Sequence, residues 1–248
     1  MRQAGNPASR LRPPRRHHTA SLPRSLHQED FVIIAIGLFP GFTSLDAIGP
    51  YEVFSALPGA EVVLCAAEPT LDDGNNMLHL RVDATFDEVA RPDVLLIPGG
   101  PGTRRLAAVD HPIVDWVRNA HPHTRWTTSV CTGALVLGAA GLLDGLPATT
   151  HWHFYDLLAG YGAHPTEQRV VRNDAERIAT AAGVSAGIDL ALTLAAELAG
   201  PEVAQGIQLA IEYDPQPPFD AGAPSKAPRA VRDAIAARFD QFDRLAAQ

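Results

Sequence analysis

Cys131 stands at the joint of two differently patterned runs. Thr127, Thr128 and Val130 before it read as the end of a β-strand, and Ala134, Leu135, Leu137 and Ala140 after it recur at helical spacing. A thiol on a strand–turn–helix joint is held up and strained, as a nucleophile requires. The stretch Ser129-Val130-Cys131-Thr132-Gly133 is a cysteine analogue of the G-x-S-x-G elbow, with small residues where strand and helix must pack closely. The unpaired N–H groups and dipole of a helix N-terminus there predict a depressed thiol pKa and a thiolate. The competing reading is a buried, inert cysteine, which is preferred for Cys65, mid-strand between Leu64 and Ala66.

Two further features fall at strand ends with Cys131. Pro98-Gly99-Gly100 closes a buried apolar run, and its glycines let backbone N–H groups turn into the site as an oxyanion-type cradle. Asp46 lies in the turn and helix start after the first strand. It is a candidate acid/base, or simply an acidic side chain at a helix N-terminus. His151 and His153 form H-x-H, and His111, His121 and His123 add to the histidines. Their spacing matches no standard zinc pattern, so no metal is expected. Phe42, Ile48 and Trp152 are candidate apolar walls for a substrate pocket.

The elements that position these residues can be read along the chain. Continuous apolar runs at 31–39, at 60–67 and at 92–102, the last ending in a glycine cluster, with 125–130, predict strands buried on both faces. Residues 78–86 alternate, as in an exposed hairpin arm. Helices are predicted over 43–57, with Thr43 or Ser44 as N-cap and an irregularity at Pro50. Further helices are predicted over 111–120, 132–140, 153–160, 186–199, 201–213 and 228–245, with strands near 168–172 and 177–181. Strands alternating with helices imply an α/β fold, a parallel sheet sandwiched by helices, in which ligands gather at the strands' carboxyl ends. One domain is expected over 31–200. Residues 201–248 would then be a helix, a proline-rich arm and a terminal helix packed on it, with no DNA-binding helix-turn-helix.

Composition narrows the function classes. The 248 residues suffice for one large domain, and 46% hydrophobic with 19% charged residues is ordinary for a globular chain. No run approaches the roughly 18 apolar residues of a membrane span. Net charge is −8, but residues 1–30 hold six arginines, which leaves 14 basic against 26 acidic side chains in the body. Such a body repels nucleic acid. The tail, rich in Arg, Pro, Ser and His, is expected to be a disordered basic segment, and Arg15-Arg16 is not followed by the apolar region of an export signal. Two cysteines make no disulfide framework, so a cytoplasmic location with free thiols is expected.

Taken with Asp46, Pro98-Gly99-Gly100, Cys131 and "TTH" at 149–151, the chain resembles the PfpI/ThiJ superfamily, the class I glutamine-amidotransferase-like group. The blocks "LFPGFTSLDAIGPYEVF", "IPGGPG", "TSVCTGALVLGAAGLLDG", "ATTHW", "GVSAGIDLALTLAAELAG" and "PPFDAGAP" are similar, in order, to its isonitrile hydratase branch. That resemblance implies a flavodoxin-like fold, a homodimer and no cofactor. It also implies a catalytic set of Cys131, Asp46 and Thr132, with Gly99, Gly100 and His151 around the substrate. The acid is commonly Glu in the superfamily and is Asp46 here. Thr132 occupies the slot that the protease-like branch fills with histidine. The implied reaction adds water to a small isonitrile. Alternatives from the same superfamily are a ligand-sensing module of AraC-type regulators and a glyoxalase- or deglycase-type thiol enzyme.

Overall fold

The computed structural model describes residues 31–107 and 111–246, with side chains to residue 241. The expected basic tail lies outside the described residues. The first half runs β1 (Val32–Gly37), α1 (Ser44–Ser55), β2 (Ala60–Ala66), β3 (Thr70–Asp72), β4 (His79–Arg81), β5 (Ala84–Thr85), β6 (Val94–Ile97), α2 (Thr103–Ala107) and α3 (Pro112–Ala120). The second half runs β7 (Trp126–Val130), α4 (Gly133–Ala139), β8 (Pro147–Ala148), α5 (Tyr155–Ala159), β9 (His164–Pro165), β10 (Val170–Asn173), β11 (Ile178–Ala181), α6 (Ala186–Ala199), α7 (Pro201–Ala210) and α8 (Arg229–Ala246).

Seven strands form the main sheet in the order β10-β11-β7-β6-β1-β2-β5. All neighbours are parallel except β10 and β11. The inner order β2-β1-β6-β7-β11 is the flavodoxin-like winding, so the expected fold class is borne out. Helices α1, α6 and α7 pack together, as do α2, α3 and α4. The continuous apolar runs follow from this cover: Ile34, Ile36, Leu95, Leu96 and Ile97 are fully buried. Each such side chain contributes about 1.5–3 kcal/mol of transfer free energy. Cys65 lies inside this core, its Sγ 3.7 Å from the Ile36 carbonyl. Burial, and then the charge of Asp83, push its thiol far above the normal range, which fits the inert reading.

Winding reverses between β1 and β6, the switch point at whose strand ends such folds bind ligands, and the loops that follow these two strands are tied together there by the Thr43 N–H to the Gly99 carbonyl (2.7 Å). The loops after β1, β6 and β7 carry Asp46, Gly99 and Cys131. One expectation fails nearby: α1 runs through Pro50 without a break. Proline removes only the N–H that would reach the Asp46 carbonyl, and packing of α1 against α6 holds the helix together.

Candidate functional site

Cys131 occupies a left-handed backbone position, φ 55°, between β7 and α4. That conformation costs a non-glycine residue about 1 kcal/mol or more, so the surroundings must impose it. They do so from several sides. The Cys131 N–H donates to the carbonyls of Ala182 (2.9 Å) and Ala181 (3.1 Å), and its own carbonyl accepts from the Thr150 hydroxyl (2.8 Å). Gly133 allows α4 to start against β6, because a Cβ there would lie 2.2 Å from the Ile97 carbonyl oxygen. The elbow is therefore a product of β6, β7, β11 and the segment at 149–151 together.

Asp46 is wholly buried, which rules out the reading of it as a solvated helix-end charge. Its Oδ2 accepts the Gly99 N–H at 2.8 Å, while Oδ1 is buried without a hydrogen-bond partner. The Cys131 thiol is the polar neighbour of this carboxylate. Burial raises the Asp46 pKa to about 7, against the opposing pull of the Gly99 N–H and then the thiol. Position is set further out by Asp73, which accepts from the Ser44 hydroxyl at the start of α1 and from the N–H groups of Asn75, Met77 and Leu78.

The helix N-terminus alone predicts a depressed thiol; the structure reverses this. Cys131 is only 5% exposed, and burial, followed by the negative charge of Asp46, raises its pKa far above the normal range. The N–H groups of Val184 and Thr132 and the Thr132 hydroxyl face the sulfur and oppose that rise without overcoming it. Near pH 7 the thiol therefore keeps its proton, and the carboxyl beside it lies close to its own titration point.

Gly99 and Gly100 also differ from expectation. Their N–H groups do not form an open cradle: Gly99 serves Asp46, and Gly100 donates to Thr132 Oγ1 at 2.9 Å. Thr132 Oγ1 is bonded as well by the Thr103 hydroxyl (2.9 Å), so the threonine is fixed beside the sulfur. The donors that do face the sulfur, Val184 and Thr132, are backbone groups, and side-chain types could not reveal them. Thr150 is legible from sequence only as part of "ATTHW". Gly99 has no room for change: a Cβ would stand 2.6 Å from the Thr132 nitrogen and 2.8 Å from both Asp46 Oδ2 and Cys131 Cβ. Gly99→Ala is expected to cost about 1–3 kcal/mol in chemical denaturation through overpacking and to disorder the pair. A stability equal to wild type would show that the contact relaxes freely.

A pocket of about 400 Å³ opens above the sulfur, lined by Thr43, Gly100, Cys131, Thr132, His151 and Phe154 together with residues of α8. His151 makes no hydrogen bond to Cys131. Its Nδ1 accepts the His153 N–H at 3.4 Å, and burial, then His153, lower its pKa to about 4, so the ring is neutral near pH 7. Of the expected walls, Phe42 is fully buried in the core, Ile48 lines a different cleft, and Trp152 packs on His151 from outside. Among the described residues no group of three or more His, Cys, Asp or Glu could hold a metal, and no helix is long and apolar enough to cross a membrane.

Known proteins share this architecture. An isonitrile hydratase of Pseudomonas putida is 46% identical over 196 residues, spanning 79% of this chain and 85% of its own. A crystal structure of a ThiJ/PfpI family protein from Pseudomonas syringae superposes with a TM-score of 0.80 at 40% identity, over 85% of this chain and 87% of that one. A helix-turn-helix transcriptional regulator, CdhR of Pseudomonas aeruginosa, is 30% identical over 67% of this chain but only 51% of its own length. Residues 32–197 match the DJ-1/PfpI family, a span that runs from β1 into α6 and holds the elbow, the carboxylate and the glycine loop alike, and the chain belongs to that family.

Proposed function

We propose that this protein hydrates an isonitrile to an N-substituted formamide. The observation that carries the proposal is the buried Asp46 carboxyl, protonatable near pH 7, against the Cys131 thiol on the floor of a largely apolar pocket. The likeness to the Pseudomonas putida isonitrile hydratase supports the substrate class.

The chemistry balances with these groups alone. Asp46 takes the thiol proton as Sγ attacks the terminal carbon of R–N≡C, and the same proton is delivered to that carbon, giving the thioimidate Cys131–S–CH=N–R. Water, deprotonated by Asp46, adds to this carbon as the imine nitrogen is protonated. The C–S bond then breaks, the sulfur recovers a proton, and HC(=O)–NH–R leaves. Thr132 donates its hydroxyl to the sulfur while negative charge resides there. A thiol needs this help because burial disfavours a standing thiolate, whereas concerted transfer to a carboxylate with pKa near 7 requires none. Gly99 holds the carboxylate in line, and neutral His151 serves as wall rather than as acid.

Nothing in this set resembles a cysteine–histidine pair, since Thr132 follows the nucleophile; the deglycase-type alternative therefore draws less support from the site. Formamide production from an aryl isonitrile, followed by chromatography, tests the proposal. Stoichiometric formamide at catalytic enzyme concentration is expected, and its absence across aryl and alkyl isonitriles would overturn the reading.

A further inference from the structure

One carbonyl beside the elbow is offered more hydrogen bonds than it can accept. The Gly100 oxygen lies 3.1 Å from the Thr103 nitrogen, 2.7 Å from the Thr103 hydroxyl and 3.3 Å from the Thr132 hydroxyl. A carbonyl oxygen has two lone pairs, so one of these three donors must serve elsewhere. The backbone N–H is fixed in direction, whereas the two hydroxyls can turn, and each has another acceptor. Thr103 Oγ1 stands 2.9 Å from Thr132 Oγ1, and the Thr132 hydroxyl faces the Cys131 sulfur. The Gly100 N–H holds Thr132 Oγ1 at 2.9 Å, so that oxygen stays in place whichever way its proton points.

The distances decide the competition. At 2.7 Å the Thr103 hydroxyl takes the second lone pair of Gly100, and the Thr132 proton, offered only a 3.3 Å contact there, is displaced toward the sulfur. Charge on the sulfur tightens the arrangement. A hydroxyl that donates to a thiolate becomes a better acceptor at its own oxygen, and Thr103 is near enough to turn its proton there. Thr103 is wholly buried at the first position of α2, so solvent does not compete for its hydroxyl. A bond to the carbonyl three residues back would alone be an ordinary turn contact. The second acceptor, on the residue that follows the nucleophile, goes beyond it.

We infer that Thr103 is a positioning residue of this site: its hydroxyl keeps the Thr132 proton off the Gly100 carbonyl and directed at the Cys131 sulfur, and supports that donor when the sulfur is charged. The effect on the sulfur holds for any electrophile that Cys131 meets. The effect on formamide production rests on the hydratase reading.

Thr103→Val keeps the side chain's shape and deletes the hydroxyl, Thr103→Ser keeps the hydroxyl, and both are compared in wild-type and Thr132→Val backgrounds. Thr103→Val is expected to lower kcat for an aryl isonitrile about tenfold with KM nearly unchanged, because the donor acts on charge that develops at the sulfur. Thr103→Ser is expected to stay within about twofold of wild type, and Thr103→Val to add less than about twofold to the loss caused by Thr132→Val. Alkylation of Cys131 by iodoacetamide at fixed pH, with the site read by mass spectrometry, is expected to slow in the same order with no isonitrile present. Thr103→Ala gives the same comparison if the valine variant does not fold. Rates untouched by loss of the hydroxyl, a serine variant as slow as valine, or a full loss that persists in the Thr132→Val background overturns the inference. Absence of turnover with the alkylation order intact overturns the hydratase reading alone.

Discussion

Cys131→Ala is expected to abolish isonitrile hydration, with a loss of about 10⁴-fold or more in kcat, because the covalent route disappears with the sulfur. No other group in the pocket replaces it. His151 is neutral and makes no hydrogen bond toward the elbow, and Cys65 is sealed within the sheet. The fold should survive. The left-handed backbone at position 131 is held by the Ala181 and Ala182 carbonyls and by Thr150, none of which needs the thiol. Removing the sulfur also removes one of the donors that face the Asp46 carboxyl, so that residue should hold its proton to higher pH. Formamide assays beside circular dichroism and a thermal melt check both halves. A folded alanine variant that retained full turnover would end the thioimidate scheme.

Asp46→Asn is expected to cost about 10³-fold in kcat, since general acid–base catalysis by one group is worth 10²–10⁴-fold and this group acts in more than one step. In wild type the active form of the pair carries one proton. Below a pH of about 7 the pair takes up a second, the carboxylate is lost as base, and kcat/KM falls with decreasing pH. The asparagine variant should lack this acid limb. Stability moves the opposite way. The folded-state pKa is raised from 3.8 to about 7, so the unfolded chain releases the proton first and wild-type stability falls as pH rises between those values. Asparagine carries no charge to bury, and its amide oxygen can still accept the Gly99 N–H. At pH 8 the variant is expected to be more stable than wild type by about 2–4 kcal/mol, the difference vanishing near pH 4. Denaturant titrations at the two pH values measure it. Equal stability at both would mean that the carboxylate is not held in the buried state described.

The groups of the candidate site are legible from sequence where chemistry and local pattern coincide. Cys131 between a β-branched run and a helical repeat, Gly99-Gly100 after a buried strand, and Asp46 after the first strand all lie at carboxyl ends of parallel strands, as the alternation of strands and helices requires. What could not be read was the partner of each group. The Gly99 N–H meets Asp46 from 53 positions away, and Gly100 meets Thr132 from 32, so glycines that look like an open cradle serve the protein's own side chains. The pocket walls were misassigned for a similar reason. Phe42 and Ile48 are near Asp46 in sequence but turn into the core and another cleft, while Phe239 reaches the pocket from the far end of the chain.

By itself the sequence determined the α/β fold, the winding that puts three loops at one sheet edge, and the identity of the thiol and carboxyl. These follow from hydrophobic periodicity and residue type, which are local properties. Only the tertiary structure decided the protonation of the pair and the shape of the pocket. Burial is a collective property: a helix N-terminus favours thiolate, but desolvation and a neighbouring carboxylate outweigh it, because desolvating charge costs more than one turn of N–H groups returns. The wall made by α8 depends on where a proline-stiffened arm ends in space, and no local pattern carries that distance.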